Sequence, residues 1–356
     1  MADSDSYEDT VKGKSDEQVA QFEDTKTGLL GRIQHALHVN PALVPLIILV
    51  FAIGLFGILL GQRFFSAGTL TLILQQVQIV GVLAAAQTLI ILTAGIDLSV
   101  GAIAVLSSVI MGQMTFRYGV PAEISILIGF IFGTGIGAVS GFLVSRVKIP
   151  PFIVTLGIWQ IVLAANYLFA NNQTIRSTDL RADAPALLFL GNRIEIGGAN
   201  FTFGVILMIL IFVILGYALR STAWGRHVYA VGDDPEAAQL AGVNVNRTLM
   251  SVYMITGFIC AVAGWVMIGR FSSVSPSAST GVIGNIQSIT AVVIGGLSLF
   301  GGRGSIYGAL FGAMIVGVFE LGLRMAGADP QWTFMLIGML IIGAVGLDQW
   351  IRKVSA

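Results

Sequence analysis

The chain has 356 residues, 55% of them hydrophobic and 11% charged, where soluble domains carry about 25% charged residues. Its mean hydropathy is +0.87, which excludes an ordinary soluble domain and points to an integral membrane protein. With 19 basic and 19 acidic residues the formal net charge is zero, so the basic footprint of a nucleic-acid binder is missing.

The N-terminal stretch opposes the positive start of a signal peptide. Asp3, Asp5, Glu8, Asp9, Asp16, Glu17, Glu23 and Asp24 face only Lys12, Lys14 and Lys26. Residues 1–40 are expected as a disordered acidic cytoplasmic tail. Gly13, Lys14 and Ser15 imitate the end of a phosphate-binding loop, but the opening glycine of that motif falls on Glu8, with no strand or helix around it. No nucleotide or cofactor site is expected on this chain.

About 20 apolar residues cross a bilayer core. Segments near 43–60, 69–93, 98–116, 123–144, 152–170, 201–219, 249–269, 286–300, 305–323 and 333–350 meet that measure. The fold class is therefore an all-α membrane protein, a polytopic bundle of about ten transmembrane helices (eight to ten) over 41–350, with 351–356 as a short cytoplasmic end. The segment 286–300 is short and interrupted by glycine, as in half-helices that line cavities. Lys and Arg accumulate on the cytoplasmic side. Placing both termini there puts 12 basic residues inside against seven outside, a margin that shrinks to eight against seven without the tail and Arg32.

Polar side chains within spans are candidates for function. Gln75, Gln76, Gln78 and Gln87 lie in the second span, Gln160 and Asn166 in the fifth. Such amides suit a path for a neutral polyol, and they equally suit hydrogen bonds between helices. Between the second and third spans, "LTAGIDLSVGAIAV" breaks the apolar run at Gly95, Asp97, Ser99 and Gly101. Asp97 or Ser99 is expected to cap the third span. Gly129, Gly133, Gly137 and Gly141 line one face of the fourth span, with Gly57/Gly61 and Gly308/Gly312 repeating the spacing. Such faces serve close helix packing inside one subunit, or a contact between subunits.

Two connections are long. Residues 171–200 would lie outside the membrane, and 220–248 inside. The second contains "AVGDDPEAAQLAGVNV", where Asp234 fits an N-cap, Pro235 the first helical position, Glu236 the first turn and Gly242 the left-handed residue after the end. A helix of two turns over about 235–241 follows, with Ala237, Ala238, Leu240 and Ala241 as small exposed faces shaped for a groove on another protein. The single cysteine, Cys260, lies in an apolar run and excludes an intrachain disulfide or a cysteine metal site; no metal is expected. Farther on, Glu320 and Arg324 share a helix face and suit an intrahelical pair, a proton-coupling or substrate role for the acid being the alternative.

At this point the sequence resembles a known family. "GRHVYAVGDDPEAAQLAGVNV", "TAGIDLSVGA", "AVVIGGLSLFGGRGSIYGALFGAMIVG" and "IGMLIIGAVGLDQW" are similar to segments of the permease subunits of bacterial ABC sugar importers, in the branch of ribose, xylose, galactose, arabinose and fructose permeases. The motifs run in order from about residue 81 to 348. The resemblance implies the ABC importer permease fold, a homodimer in the inner membrane, two partner ATPase subunits that hold ATP-Mg, and a periplasmic sugar-binding protein that delivers a monosaccharide. It further implies that Asp234, Pro235, Glu236, Ala237, Ala238, Leu240, Ala241 and Gly242 form a coupling helix on the ATPase, with Asp233 before it and Gly225 and Arg226 opening the segment. The binding protein would dock on 171–200 and 271–285. Asp233-Asp234 departs from a common Gly-Asn pair, Ala94 from a common glycine, and Glu320 from a usually uncharged residue. An ion-coupled secondary transporter is the rival reading, and a membrane scaffold the third. The first would want several embedded ionisable groups, of which Glu320 is the one deep candidate.

Overall fold

The computed structural model describes residues 42–355. The acidic segment 1–40, with its phosphate-loop imitation, lies outside the described residues. Thirteen helices are present among them: α1 (Leu43–Leu60), α2 (Ala67–Leu92), α3 (Val100–Phe116), α4 (Ala122–Ser145), α5 (Pro151–Ala170), α6 (Ser177–Asp183), α7 (Phe203–Ser221), α8 (Ala223–Asp233), α9 (Pro235–Leu240), α10 (Val245–Phe271), α11 (Ala278–Ile294), α12 (Ile306–Met325) and α13 (Pro330–Ser355). One hairpin, β1 (Arg193–Ile196) and β2 (Ala199–Thr202), accompanies them, with Arg193 opposite Thr202.

Nine of these helices coincide with expected apolar segments and a tenth, α11, overlaps the remaining one. Seven are long and apolar enough to cross a membrane, while Val100–Phe116, Ala278–Ile294 and the apolar part of α13, Gln331–Gly343, are shorter. The bundle is thus a polytopic, all-helical membrane protein. The segment expected over 286–300 is displaced: α11 begins at Ser277, whose hydroxyl accepts from the Thr280 amide, and ends at Gly295. The helix starts in a Ser/Thr-rich stretch that an apolar window passes over. Likewise α13 continues through Ser355, beyond the boundary expected at 350.

The packing reveals an internal symmetry. α2 and α10 have 26 and 27 residues, and α3 and α11 have 17 each. Breaks at 93–99 and 272–277 precede the two short helices. α3 packs on α4, α5 and α10, and α11 on α12, α13 and α2; α4 packs on α10 as α12 does on α2. The two symmetry-equal pairs, α2 with α10 and α3 with α11, also touch. Four helices of one half, α2 to α5, thus pack among themselves and on the other half as α10 to α13 do, an internal repeat of the kind membrane transporters use.

Glycine makes the close contacts possible. A Cβ at Gly133 or Gly137 would strike the α10 backbone at Gly257 or Tyr253, and one at Gly308 or Gly312 would strike α11 at Gly295 or Ala291. These faces therefore serve packing inside one chain. Gly61 does not: it ends α1 at φ 60 with open space beside it.

Candidate functional site: the α8–α9 coupling segment

The segment between α7 and α10 is fixed by caps at each turn. Thr222 Oγ1 accepts from the Gly225 amide at 3.2 Å and starts α8. Asp234 closes α8 and opens α9: its amide donates to the Ala230 carbonyl at 3.1 Å, while its Oδ1 accepts from the Glu236 and Ala237 amides at 2.9 and 3.0 Å. Pro235 lacks the amide that a first helical position leaves unused. Gly242, at φ 88, completes a Schellman end, with Gly242 N–H donating to Gln239 O and Val243 N–H to Ala238 O, both at 3.0 Å. Asn244 Oδ1 then caps α10 through the Arg247 amide at 3.0 Å. Six helical residues fixed this way form a stiff peg, because the orphan groups at both ends have partners.

One expected feature of the peg is corrected. Ala238 is not an exposed knob: it is 5% exposed and faces the protein's own bundle. Asp233, Asp234, Pro235, Glu236, Ala237, Ala241 and Gly242 are exposed, and Leu240 is 90% exposed. A six-residue helix offers too few turns for its inward face to be read from periodicity. Beside it a pocket opens between Lys148, Gln239, Val243 and Asn246, and the Lys148 ammonium donates to Asn246 Oδ1 at 2.9 Å.

Behind the peg, three contacts tie α8 to the bundle. Gly232 lies against the Leu92 carbonyl at the end of α2, and the same carbonyl accepts from the Gly302 amide at 3.0 Å. Tyr229 donates from its hydroxyl to the Gly304 carbonyl at 2.9 Å, and burial raises that hydroxyl's pKa above its ordinary value, so it stays a donor. Trp224 Nε1 donates to Ser251 Oγ on α10 at 2.8 Å. Gly225 is buried against the end of α7, while Arg226 is exposed.

The signature loop joins the two halves of the repeat. Asp97 is buried, and its Oδ1 accepts from both the Ser99 amide and the Ser99 hydroxyl at 2.6 Å. It thus holds the residue before α3, and neither side chain caps the first-turn amides as expected. Gly101 presses its backbone onto Gly281, the first turn of α11, and Asn285 Nδ2 donates to the Leu98 carbonyl at 2.7 Å. Gly95 packs on Ile90 and the Tyr253 hydroxyl. Ala94 carries φ 58, a left-handed conformation that explains why glycine suits this position.

The amides expected on one path are not brought together. Gln78 Oε1 accepts from the Thr202 hydroxyl at 2.6 Å beneath the hairpin, while at Gln75 it is the main-chain carbonyl that accepts from Arg270 Nε, at 3.2 Å. Gln87 is fully buried in α2 and Asn166 is buried in α5, whereas Gln160 is exposed on the opposite face of α5. Gln76 has another use: it and Gln287 of α11 both donate to Glu320 Oε2, at 3.0 and 3.1 Å. Glu320 also pairs with Arg324 at 2.9 Å, as expected. Three helices meet on one carboxylate, and the role of Gln287 escaped sequence reasoning because 33 residues separate it from its partner.

At the end opposite α9, the connections expected to receive a partner do meet. Ile175 and Val274 exchange backbone hydrogen bonds at 2.9 and 3.1 Å, and Trp265 Nε1 donates to the Leu187 carbonyl at 3.1 Å.

Residues 69–345 match the family described as the branched-chain amino acid transport system permease component. The chain belongs to this permease family. It is 62% identical over 346 residues, 97% of this chain and 96% of the relative, to the fructose import permease protein FrcC of Rhizobium meliloti. With the ribose import permease protein RbsC of Escherichia coli K12 it shares 32% over 307 residues, 86% of this chain and 92% of the relative. It is also 31% identical, over 86% of its length and 92% of the relative, to the autoinducer 2 import system permease protein LsrC of Photorhabdus luminescens. No solved structure matches.

Proposed function

We propose that this chain is the membrane-spanning subunit of an ATP-binding-cassette importer that carries a monosaccharide, fructose first, across the bacterial inner membrane. Two copies work with two ATPase subunits, which hold ATP-Mg, and with a periplasmic sugar-binding protein. All ten apolar helices cross the bilayer, both termini and α9 face the cytoplasm, and this chain performs no chemical step.

The observation that carries the reading is the peg itself. A helix capped at both ends, with an exposed leucine and joined directly to α8, whose Gly232 sits on the end of α2, is suited to receive a displacement and pass it on. When the ATPases close, α9 moves with them. α8 then pushes on Leu92 of α2, Gly304 of the glycine loop and Ser251 of α10, the long helices at the centre of the two repeats. The relatives named for fructose and ribose import support a monosaccharide as cargo, and the contact of 171–202 with 271–285 supports a single landing surface for the binding protein.

The test is reconstitution in vesicles with ATPase, binding protein and radiolabelled fructose. Uptake is expected to require ATP and both partners. Uptake by this chain alone under a proton gradient would overturn the reading in favour of an ion-coupled transporter.

A further inference from the structure

The pocket beside α9 has a volume of about 430 Å³. Three parts of the chain close around it: the end of α9 with Gln239, Gly242 and Val243, the start of α10 with Asn246, and Lys148 in the connection between α4 and α5. Gln239, Lys148 and the neighbouring Leu240 are exposed, so a protein that takes hold of α9 also covers this opening. Lys148 is placed there at a cost. α4 closes with the Val147 amide on the Phe142 carbonyl at 3.3 Å and the Ile149 amide on the Leu143 carbonyl at 3.2 Å, which leaves Lys148 at φ 65. Glycine adopts that left-handed conformation readily, and a residue with a Cβ does not.

The Lys148 ammonium reaches Asn246 Oδ1, 98 positions away in sequence, at 2.9 Å. An ammonium has three donors and no acceptor, so two donors remain for a group in the pocket. No acid of this chain takes them: the one ion pair among the described residues joins Arg324 to Glu320. At the other end of the peg Asp233, Asp234 and Glu236 are exposed, with no base between them. Acids at one end of α9 and an ammonium beside the other give the docking face a polarity, and opposed charges across an interface fix register and exclude wrong partners. We infer that the pocket receives a carboxylate side chain of the ATPase that grips α9, and that Lys148 pairs with it. The inference rests on the coupling role proposed above and adds the residue that selects the partner.

The test uses the full-length permease assembled with its ATPase. A water-soluble carbodiimide joins an ammonium to a carboxylate in direct contact. It is expected to join permease to ATPase through Lys148, with mass spectrometry locating the bond, and Lys148→Gln is expected to abolish that product. In low salt, Lys148→Gln is expected to weaken ATPase association about five- to tenfold, the scale of one partly screened charge pair, and Lys148→Arg to keep it. The difference should shrink in high salt, which screens exposed charges. Lys148→Gly relieves the backbone, so it is expected to keep the melting temperature of the isolated permease while weakening association as Lys148→Gln does; this separates docking from misfolding. If Lys148 stays as reactive toward an amine reagent in the assembled transporter as in the isolated permease, or conjugates to an acid of its own chain, the inference fails. The peg's role would still stand on a loss of association in Leu240→Asp. If inorganic phosphate shields Lys148 in the isolated permease and no conjugate forms with the ATPase, the pocket takes a small anion and the inference again fails. If the ATPase does not associate with the unaltered permease, the proposed function falls with it.

Discussion

The backbone of Gly232 rests directly on the carbonyl of Leu92, with no side chain between α8 and the end of α2. A methyl group at 232 would overlap that carbonyl, and a backbone atom, unlike a side-chain tip, has no rotamer into which to retreat. Gly232→Ala is therefore expected to lift α8 from α2 at a cost of about 1–3 kcal/mol. α9 keeps its own caps, so the ATPase should still co-purify while sugar uptake per ATP hydrolysed falls. Loss of ATPase binding along with uptake would show that the seat supports the peg's folding and not its connection to α2.

Leu240, 90% exposed, is the apolar side chain that the proposed docking surface would offer the ATPase. Burying a leucine stabilises a contact by about 1.5–3 kcal/mol, so Leu240→Asp should weaken ATPase association by about ten- to a hundredfold and leave the thermal stability of the isolated permease unchanged. Ala238 behaves in the opposite way. Because it is buried, Ala238→Arg forces a charge under α9 and should lower the stability of the isolated chain itself. Comparing melting temperature with ATPase pull-down for both variants separates docking from packing.

Much of this site was legible before any coordinates. Asp234, Pro235 and Gly242 carry their conformations locally, through a side-chain oxygen, a fixed φ and a missing Cβ, so the caps of α9 follow from the residues alone. The ten apolar runs became ten helices for the same reason. What stayed illegible depends on distance along the chain. Gly232 on Leu92, Gly101 on Gly281 and Gln76 on Glu320 are separated by 140 to 244 positions, and no period or spacing records who faces whom. The amides at 75, 78, 87, 160 and 166 looked equivalent as polar residues in apolar runs, yet four point inward and Gln160 points out, a difference set by which neighbour each helix has.

Ala94 holds φ 58, a left-handed conformation that costs a residue with a Cβ about 1–2 kcal/mol. Glycine removes that cost but adds about 0.5–1 kcal/mol of unfolded-state entropy. Ala94→Gly is therefore expected to stabilise the purified permease slightly, by about 0.5 kcal/mol, seen as a rise in melting temperature with uptake retained. A fall would mean that the alanine methyl makes a packing contact worth more than the strain.

Glu320 and Arg324 invite a comparison within one cluster. Arg324 is 65% exposed, and exposed ion pairs contribute about 0–1 kcal/mol, so Arg324→Ala should change stability little. Glu320→Ala instead strands the half-buried amides of Gln76 and Gln287, at up to about 1–3 kcal/mol for each donor left without a partner, and loosens α2, α11 and α12 together. Glu320→Gln keeps the volume and an acceptor oxygen while removing the titratable proton. ATP-driven fructose uptake by Glu320→Gln in vesicles should therefore stay near that of the unaltered protein across neutral pH. An uptake that collapsed in Glu320→Gln while the protein kept its melting temperature would assign the carboxylate a role in moving a proton, and the structural account of this three-helix clamp would have to be abandoned.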